Sequence, residues 1–243
     1  KDVRDKKFED VLKRTIARGG TVIIPSFSLE RTQVMLYTLN NLVEENKIPS
    51  VPVFLDSPLA IRVTQVYGRL SKYFNDAVKK EISDGDDIFD FPRLKFSLKS
   101  QDSIGIDRVM GPKIIIAGSG MSSGGRVMHH ETNYLPDPQS TLCLIGYQSV
   151  GTLGRLLQDG AKEVMIYGKK IPVLAEVVTI DGYSSHKDSD HLVEFVAGSE
   201  KTLKKVFVAM GEPKASLFLV QRLRDYVGVD AIFPERGKPY ELF

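Results

Sequence analysis

"PKIIIAGSGMSSGGR", residues 112–126, runs three isoleucines and an alanine together before breaking into a loop of glycine and serine. A strand with no polar alternation is one covered on both faces. "STLCLIGY" (140–147), "TVIIP" (21–25) and "VPVFLDSP" (51–58) have the same texture. Helical spacings lie between them: Phe8, Val11, Leu12 and Ile16 before a closing Gly19-Gly20, then Leu29, Val34, Leu36, Leu39 and Leu42, then a third helix through 60–74. Buried strands in β-α-β-α order predict an α/β fold with a doubly wound, mainly parallel sheet over about residues 20–158. Residues 83–103, acidic and then basic, read as a loop with one short strand.

The texture changes from Lys162 onward. "KEVMIYGKKIPVLAEVVTIDGY" (162–183) predicts a hairpin about a "GKK" turn, followed by a helix from about 187, a strand at 204–210 and a helix at 213–228. The boundary is placed at "DGA" (159–161), which divides the chain into 1–160 and 161–243. The opening "KDVRDKKFEDVLKRTIARGG" reads as a helix entered without a cap, and is expected to start partway through a longer product.

Composition narrows the classes of function. In 243 residues, 33 Lys and Arg against 31 Asp and Glu give a net charge of +2, so a polyanion would have to be held by a local cluster of cations. Cys143 is the one cysteine, which excludes an intramolecular disulfide, suits a reducing compartment and predicts a buried structural thiol. No window approaches the ~20 apolar residues of a membrane span, so a cytoplasmic protein is expected, with no membrane partner.

Four histidines and one loop are the candidate chemistry. The loop at 117–126 follows a strand and offers backbone N–H groups and hydroxyls where an anion could dock, with Arg126 adding a charge; the alternative is a tight turn. It matches neither G-x-x-x-x-G-K-[ST] nor the full dinucleotide fingerprint, which argues against nucleoside-triphosphate chemistry. His129 and His130 are adjacent, should point different ways on a helix, and are expected at the surface, unable to share a metal. His191 is expected as a solvated or packing side chain. No H-x-H, H-E-x-x-H or C-x-x-C announces a zinc site. His186, in "DGYSSHKDSDHL" (181–192), stands between a strand end and a helix start, where Ser185 or Asp188 can cap. There an imidazole either holds a phosphate oxygen or caps its own helix.

Six blocks together carry a resemblance: "VIIPSFSLERTQVML", "VFLDSPLA", "IIIAGSGMSSGGR", "LIGYQSVGTLGRLL", "GYSSHKD" and "VFVAMGE". Their order and spacing resemble the β-CASP branch of the metallo-β-lactamase superfamily, RNA-processing nucleases that include RNase J. The resemblance implies a β-CASP domain over 1–160 and, over 161–243, the returning C-terminal part of a metallo-β-lactamase αββα domain. It implies phosphodiester hydrolysis of RNA with two zinc ions, His186 on the scissile phosphate as a catalytic group, and residues 186–190 (His186, Lys187, Asp188, Ser189, Asp190) as a substrate-binding stretch. By the same resemblance Ser26, Phe27, Arg31, Ser119, Gly120 and Met121 line an RNA channel, although Arg31 also reads as an ordinary helix-face cation.

Two departures qualify what the resemblance implies. The family's H-x-H-x-D-H metal motif is not in this sequence, so no zinc is expected on this chain alone and an N-terminal metallo-β-lactamase portion is an expected partner. Met210 stands where the family has a metal-binding histidine, and a thioether suits hydrolytic zinc poorly. A buried, space-filling Met210 is expected. Two functions therefore stand: a metal-dependent ribonuclease of which this is the RNA-channel half, inactive alone, and a non-catalytic paralogue that binds RNA or pairs with an active subunit. A homodimer, the cleavage mode and the RNA specificity stay open.

Overall fold

A computed structural model describes residues 2–184, 186–199 and 201–241, and the chain divides into two compact units, 1–184 and 185–243. In the first, the chain runs α1 (Asp2–Ala17), β1 (Thr21–Pro25), α2 (Arg31–Glu44), β2 (Val53–Asp56), α3 (Pro58–Arg69), α4 (Asp76–Ser83) and β3 (Leu94–Phe96). It continues through α5 (Ser100–Ile106), β4 (Lys113–Ala117), α6 (Val127–Tyr134), β5 (Thr141–Leu144), α7 (Leu153–Gln158), the hairpin β6 (Glu163–Ile166) and β7 (Lys169–Pro172), and β8 (Glu176–Thr179). β1 to β5 and β8 form one parallel sheet in the order β3-β2-β4-β1-β5-β8.

Both faces of that sheet are covered, as the uninterrupted apolar runs require. Val22, Ile24, Val53, Leu55, Ile114 and Ile116 join one core with Phe8 and Leu12 of α1, Leu36 and Leu39 of α2 and Ile61 of α3. Ile23, Phe54, Ile115, Leu142 and Leu144 point the other way, against Ile106 at the end of α5, Val127 of α6, Leu157 of α7 and Val164 of the hairpin. Alternation is present after all, between two cores and not between core and water. Cys143 is buried in the first core, and loss of water pushes its thiol up to about 12, so it is an unreactive packing group.

Two expectations change here. Residues 83–103 hold the expected short strand, β3, paired with the free edge of β2, and beyond it a helix, α5, which Asp102 starts by accepting the Lys99 N–H at 2.9 Å. The sheet does not stop near 158, since β8 adds its sixth strand with Leu142 opposite Val177. Glu176 is held by Arg14 and Arg18 of the opening helix segment, and the Tyr183 hydroxyl donates to Asp5 at 3.0 Å. These ties hold the segment up to residue 184 in the first compact unit.

The second unit contains α8 (Ser189–Ala197), β9 (Val206–Phe207), α9 (Pro213–Val227) and β10 (Ala231–Ile232), with β9 and β10 paired in parallel. Val208, Val220, Leu223 and Ala231 are its small core. Among the described residues no helix is long and apolar enough to cross a membrane.

Candidate functional site

β1 and β4 run side by side with Pro25 opposite Ala117, so the segments leaving their carboxyl ends emerge together. In doubly wound sheets ligands bind beyond these ends. Ser26 is buried; its N–H donates to Ala117 O at 2.9 Å and its hydroxyl accepts from Thr32 Oγ1 at 3.1 Å. Phe27 is exposed, and its ring lies so close to Gly120 that a Cβ there would meet it at 2.6 Å. Glycine at 120 therefore lets an aromatic ring rest on backbone, a flat surface of the kind on which bases stack.

The loop 118–126 closes on itself. Ser119 N–H donates to Gly124 O at 3.0 Å, Ser119 Oγ accepts from Ser123 N–H at 3.0 Å, and Val127 N–H donates to Gly118 O at 2.9 Å. Gly125 has φ +75°, and a Cβ on it would lie 2.5 Å from Gly118 O. The segment after β5 then ties this knot down. Buried Gln148 donates to Gly120 O at 3.0 Å and Gly146 O at 3.1 Å, Gly154 N–H donates to Met121 O at 3.1 Å, and Ser149 Oγ donates to Met121 Sδ at 3.3 Å. Arg31 is half-buried and donates to Ile145 O, so it is bound across the end of β5 and is not a simple helix-face cation. Loss of water lowers its pKa from the ordinary arginine value. Phe27, Arg31, Ser119, Gly120 and Met121 thus belong to one constellation, with Ser26 beneath it. Gln148 was missed, since a polar residue just past a strand reads as a turn.

Asp56, at the end of β2, is a second residue the motifs did not single out. It is fully buried, and its oxygens accept from Arg126 Nη1 (2.7 Å), Ser103 Oγ (2.5 Å) and His130 Nε2 (2.7 Å). Burial by itself would raise its pKa, but the hydrogen bonds from His130, Ser103 and Arg126 outweigh that and hold it below the ordinary carboxylate value. Three expectations are corrected. Arg126 does not stand ready for an anion, because it also donates to Ser97 O at 2.7 Å and Leu98 O at 3.1 Å. His130 is not at the surface but completely buried, drawn in by Asp56. Nor do the two imidazoles diverge: His129 Nε2 is 2.8 Å from Asp107 Oδ2, and the ring centroids are 5.4 Å apart.

Glu131 lies under the glycine loop, fully buried, accepting from Ser122 Oγ. Desolvation pushes its carboxyl up to about 7, against the lowering effect of Ser122. A raised carboxyl favours the fold while neutral: that contribution is complete below the ordinary value of 4.5 and is lost as pH rises through about 7. Glu131→Gln, neutral at every pH, should remove this slope. Relative to wild type it gains roughly 3 kcal/mol of stability between pH 4.5 and about pH 8. Denaturant unfolding of both forms across that range measures it, and parallel curves would contradict it.

In the second unit Asp188 is the N-cap of α8. It accepts the His191 N–H at 3.0 Å and lies 2.7 Å from His191 Nδ1, bonds that lower its pKa, the backbone bond first and the side-chain bond second. Ser185, the other expected cap, lies outside the described residues. Arg222 of α9 reaches the same helix start, donating to Ser189 Oγ and pairing with Asp190 Oδ1, each at 2.7 Å. His186 and Lys187 are exposed just ahead of this braced turn. Arg222 was the residue missed here, 33 positions from its partner Ser189.

Met210 is fully exposed, with a φ of +68°, and so does not fill space as expected. A thioether is a soft, weak donor for hydrolytic zinc, so Met210 does not fit the role of the histidine that the resemblance implies there. Among the described residues, the group of three metal-type donors within reach of one another is Asp107, His129 and His130, in the first unit.

Residues 32–157 match the Beta-Casp domain family, and residues 170–234 match the Zn-dependent metallo-hydrolase RNA specificity domain. The chain is 35% identical to a ribonuclease of Thermus thermophilus over 82% of its length and 46% of the relative's. It is 34% identical to an RNase J-like protein of Methanocaldococcus jannaschii over 96% of its length and 53% of the relative's. A transcription termination factor, FttA, of Methanosarcina mazei is 33% identical over 88% of this chain and 34% of its own length. The chain thus spans about half or less of the curated relatives it matches.

Proposed function

The chain belongs to the β-CASP family of the metallo-β-lactamase superfamily, and from that membership we propose that it is the RNA-facing part of an RNA-processing, metal-dependent ribonuclease. The observation that carries the reading is the exposed Phe27 ring seated on Gly120 at the carboxyl ends of β1 and β4, beside Arg31 and the knotted loop. A rigid aromatic surface suits an unpaired base, and the Arg31 guanidinium suits its phosphate, which is the chemistry of single-stranded RNA.

In this reading residues 1–160 form the β-CASP domain and 161–243 the returning part of the catalytic domain. Residues 186–190 hold the scissile phosphate, with the turn braced by Asp188 and Arg222 so that His186 keeps its position. As water attacks phosphorus and the bond to the 3′ oxygen breaks, His186 gives its proton to the departing oxygen. The catalytic zinc belongs to the full-length protein, on residues outside this chain.

The full-length protein should cleave single-stranded RNA in a reaction that a chelator stops and zinc restores. The 243-residue chain should bind RNA weakly, with affinity falling steeply as salt rises, and should not hydrolyse it. Gel analysis of labelled RNA and filter binding at several salt concentrations read both. RNA binding without cleavage by the full-length protein would favour the non-catalytic paralogue suggested by Met210. Zinc-dependent cleavage by the 243-residue chain would overturn the placing of the metal.

A further inference from the structure

The buried face of α6 holds a polar atom that the fold leaves unmatched. His130 is completely buried, and its Nδ1 finds no hydrogen-bond partner among the described residues. Its other nitrogen is settled: the Asp56 carboxylate, which also receives Ser103 and Arg126, is an acceptor, so the hydrogen lies on Nε2. A neutral imidazole with its hydrogen on Nε2 leaves a lone pair on Nδ1. A buried acceptor left unmatched costs about 1–3 kcal/mol, so its surroundings call for an explanation.

Nδ1 lies 4.0 Å from Asp107 Oδ1. That is too long for a hydrogen bond. Two donors at about 2.0–2.2 Å from a tetrahedral ion lie about 3.3–3.6 Å apart, so a shift of about half an ångström brings this pair onto one small ion. His129 Nε2 is 2.8 Å from the other oxygen of Asp107, and one donor atom from each of the three residues lies within 4.8 Å of the others. The carboxylate is steered from outside by Asn133 Nδ2 at 2.9 Å and the Tyr134 hydroxyl at 3.2 Å. The His129 and Asp107 side chains are 39% and 27% exposed, which leaves an entry path and room for water as a fourth ligand.

We propose that Asp107, His129 and His130 form a divalent metal site of the zinc type. Two imidazoles and one carboxylate are a borderline-soft donor set suited to zinc, and the bond from His130 to Asp56 is the carboxylate–histidine brace that metal-bound histidines carry. Binding replaces the hydrogen that His129 shares with Asp107 and fills the unmatched lone pair of His130. The ion joins the end of α5 to the start of α6, directly behind the glycine loop, and so serves as a structural clamp on that loop. The site rests on this geometry and not on the ribonuclease reading.

The test titrates zinc into the demetallated 243-residue chain, reading calorimetry, the metal-to-protein ratio and the melting temperature. One zinc per chain is expected, with a higher melting temperature, and His129→Ala and Asp107→Asn should each weaken binding by about tenfold or more. Both residues are partly exposed, so these variants should fold where His130→Ala fails. The zinc-free melting temperature of each variant checks that. No zinc binding by the wild type would overturn the proposal, as would binding that neither variant weakens, which would put the metal elsewhere.

Discussion

Asp56→Ala should cost about 3–5 kcal/mol of stability, the range expected when one partner of a buried charged pair is removed. The wild-type carboxylate lies between a guanidinium, an imidazole and a hydroxyl, with no exposure to water. Without it Arg126 keeps the carbonyls of Ser97 and Leu98, and His130 loses the partner of its second nitrogen while the first has none among the described residues. Asp56→Asn separates charge from shape. It fills the same volume but turns an NH2 group toward donors, so it should retain less than half of the lost stability.

The pH dependence carries the same information. Because the folded carboxyl is held below its ordinary value of 3.8, its contribution is complete above that value and is lost as pH falls below it. Asp56→Ala should flatten the acid limb of the stability curve as well as lower the plateau. Denaturant midpoints at neutral and acid pH, with unchanged slopes, are the measurement. A plateau loss under about 1 kcal/mol would mean that water replaces the carboxylate readily.

Why the motifs did not single out this network is instructive. The sheet was legible because Ile114, Ile115 and Ile116 follow one another without polar interruption, and backbone covered on both faces leaves few alternatives. β8 was harder, because "EVVT" is short and half-buried at the sheet edge, and its membership is set by Arg14 and Arg18, some 160 positions away. The side-chain constellations were least legible. Asp56, Asp107, His129 and His130 come from three separate stretches, and local spacing carries no record of which loops the sheet will bring together. The helical rule that adjacent residues diverge holds for the Cβ directions of His129 and His130 but not for their ring nitrogens, since one carboxylate lies within 4.0 Å of both. Asp188 was readable because capping is local: an acidic residue three before the first free N–H needs no tertiary contact to be recognised.

That locality shapes the second large expectation, that His186→Ala in the full-length protein lowers single-turnover RNA cleavage by ~10² or more, the usual contribution of a positioned general acid. Loss of the proton donor makes the 3′ oxygen depart as an alkoxide, a poor leaving group at neutral pH. Stability should barely change, because the helix start is held by other groups. The cap is Asp188, the brace on Ser189 and Asp190 is Arg222, and the His186 side chain is exposed. Asp188→Ala is the contrast: losing the cap should cost about 1 kcal/mol, with a rate loss that follows from the displaced turn. Rapid-quench cleavage and melting temperature on the same three proteins distinguish the roles. If His186→Ala melts lower, as Asp188→Ala should, and cleaves RNA at the wild-type rate, the histidine is a structural part of the turn and the proton must come from another group.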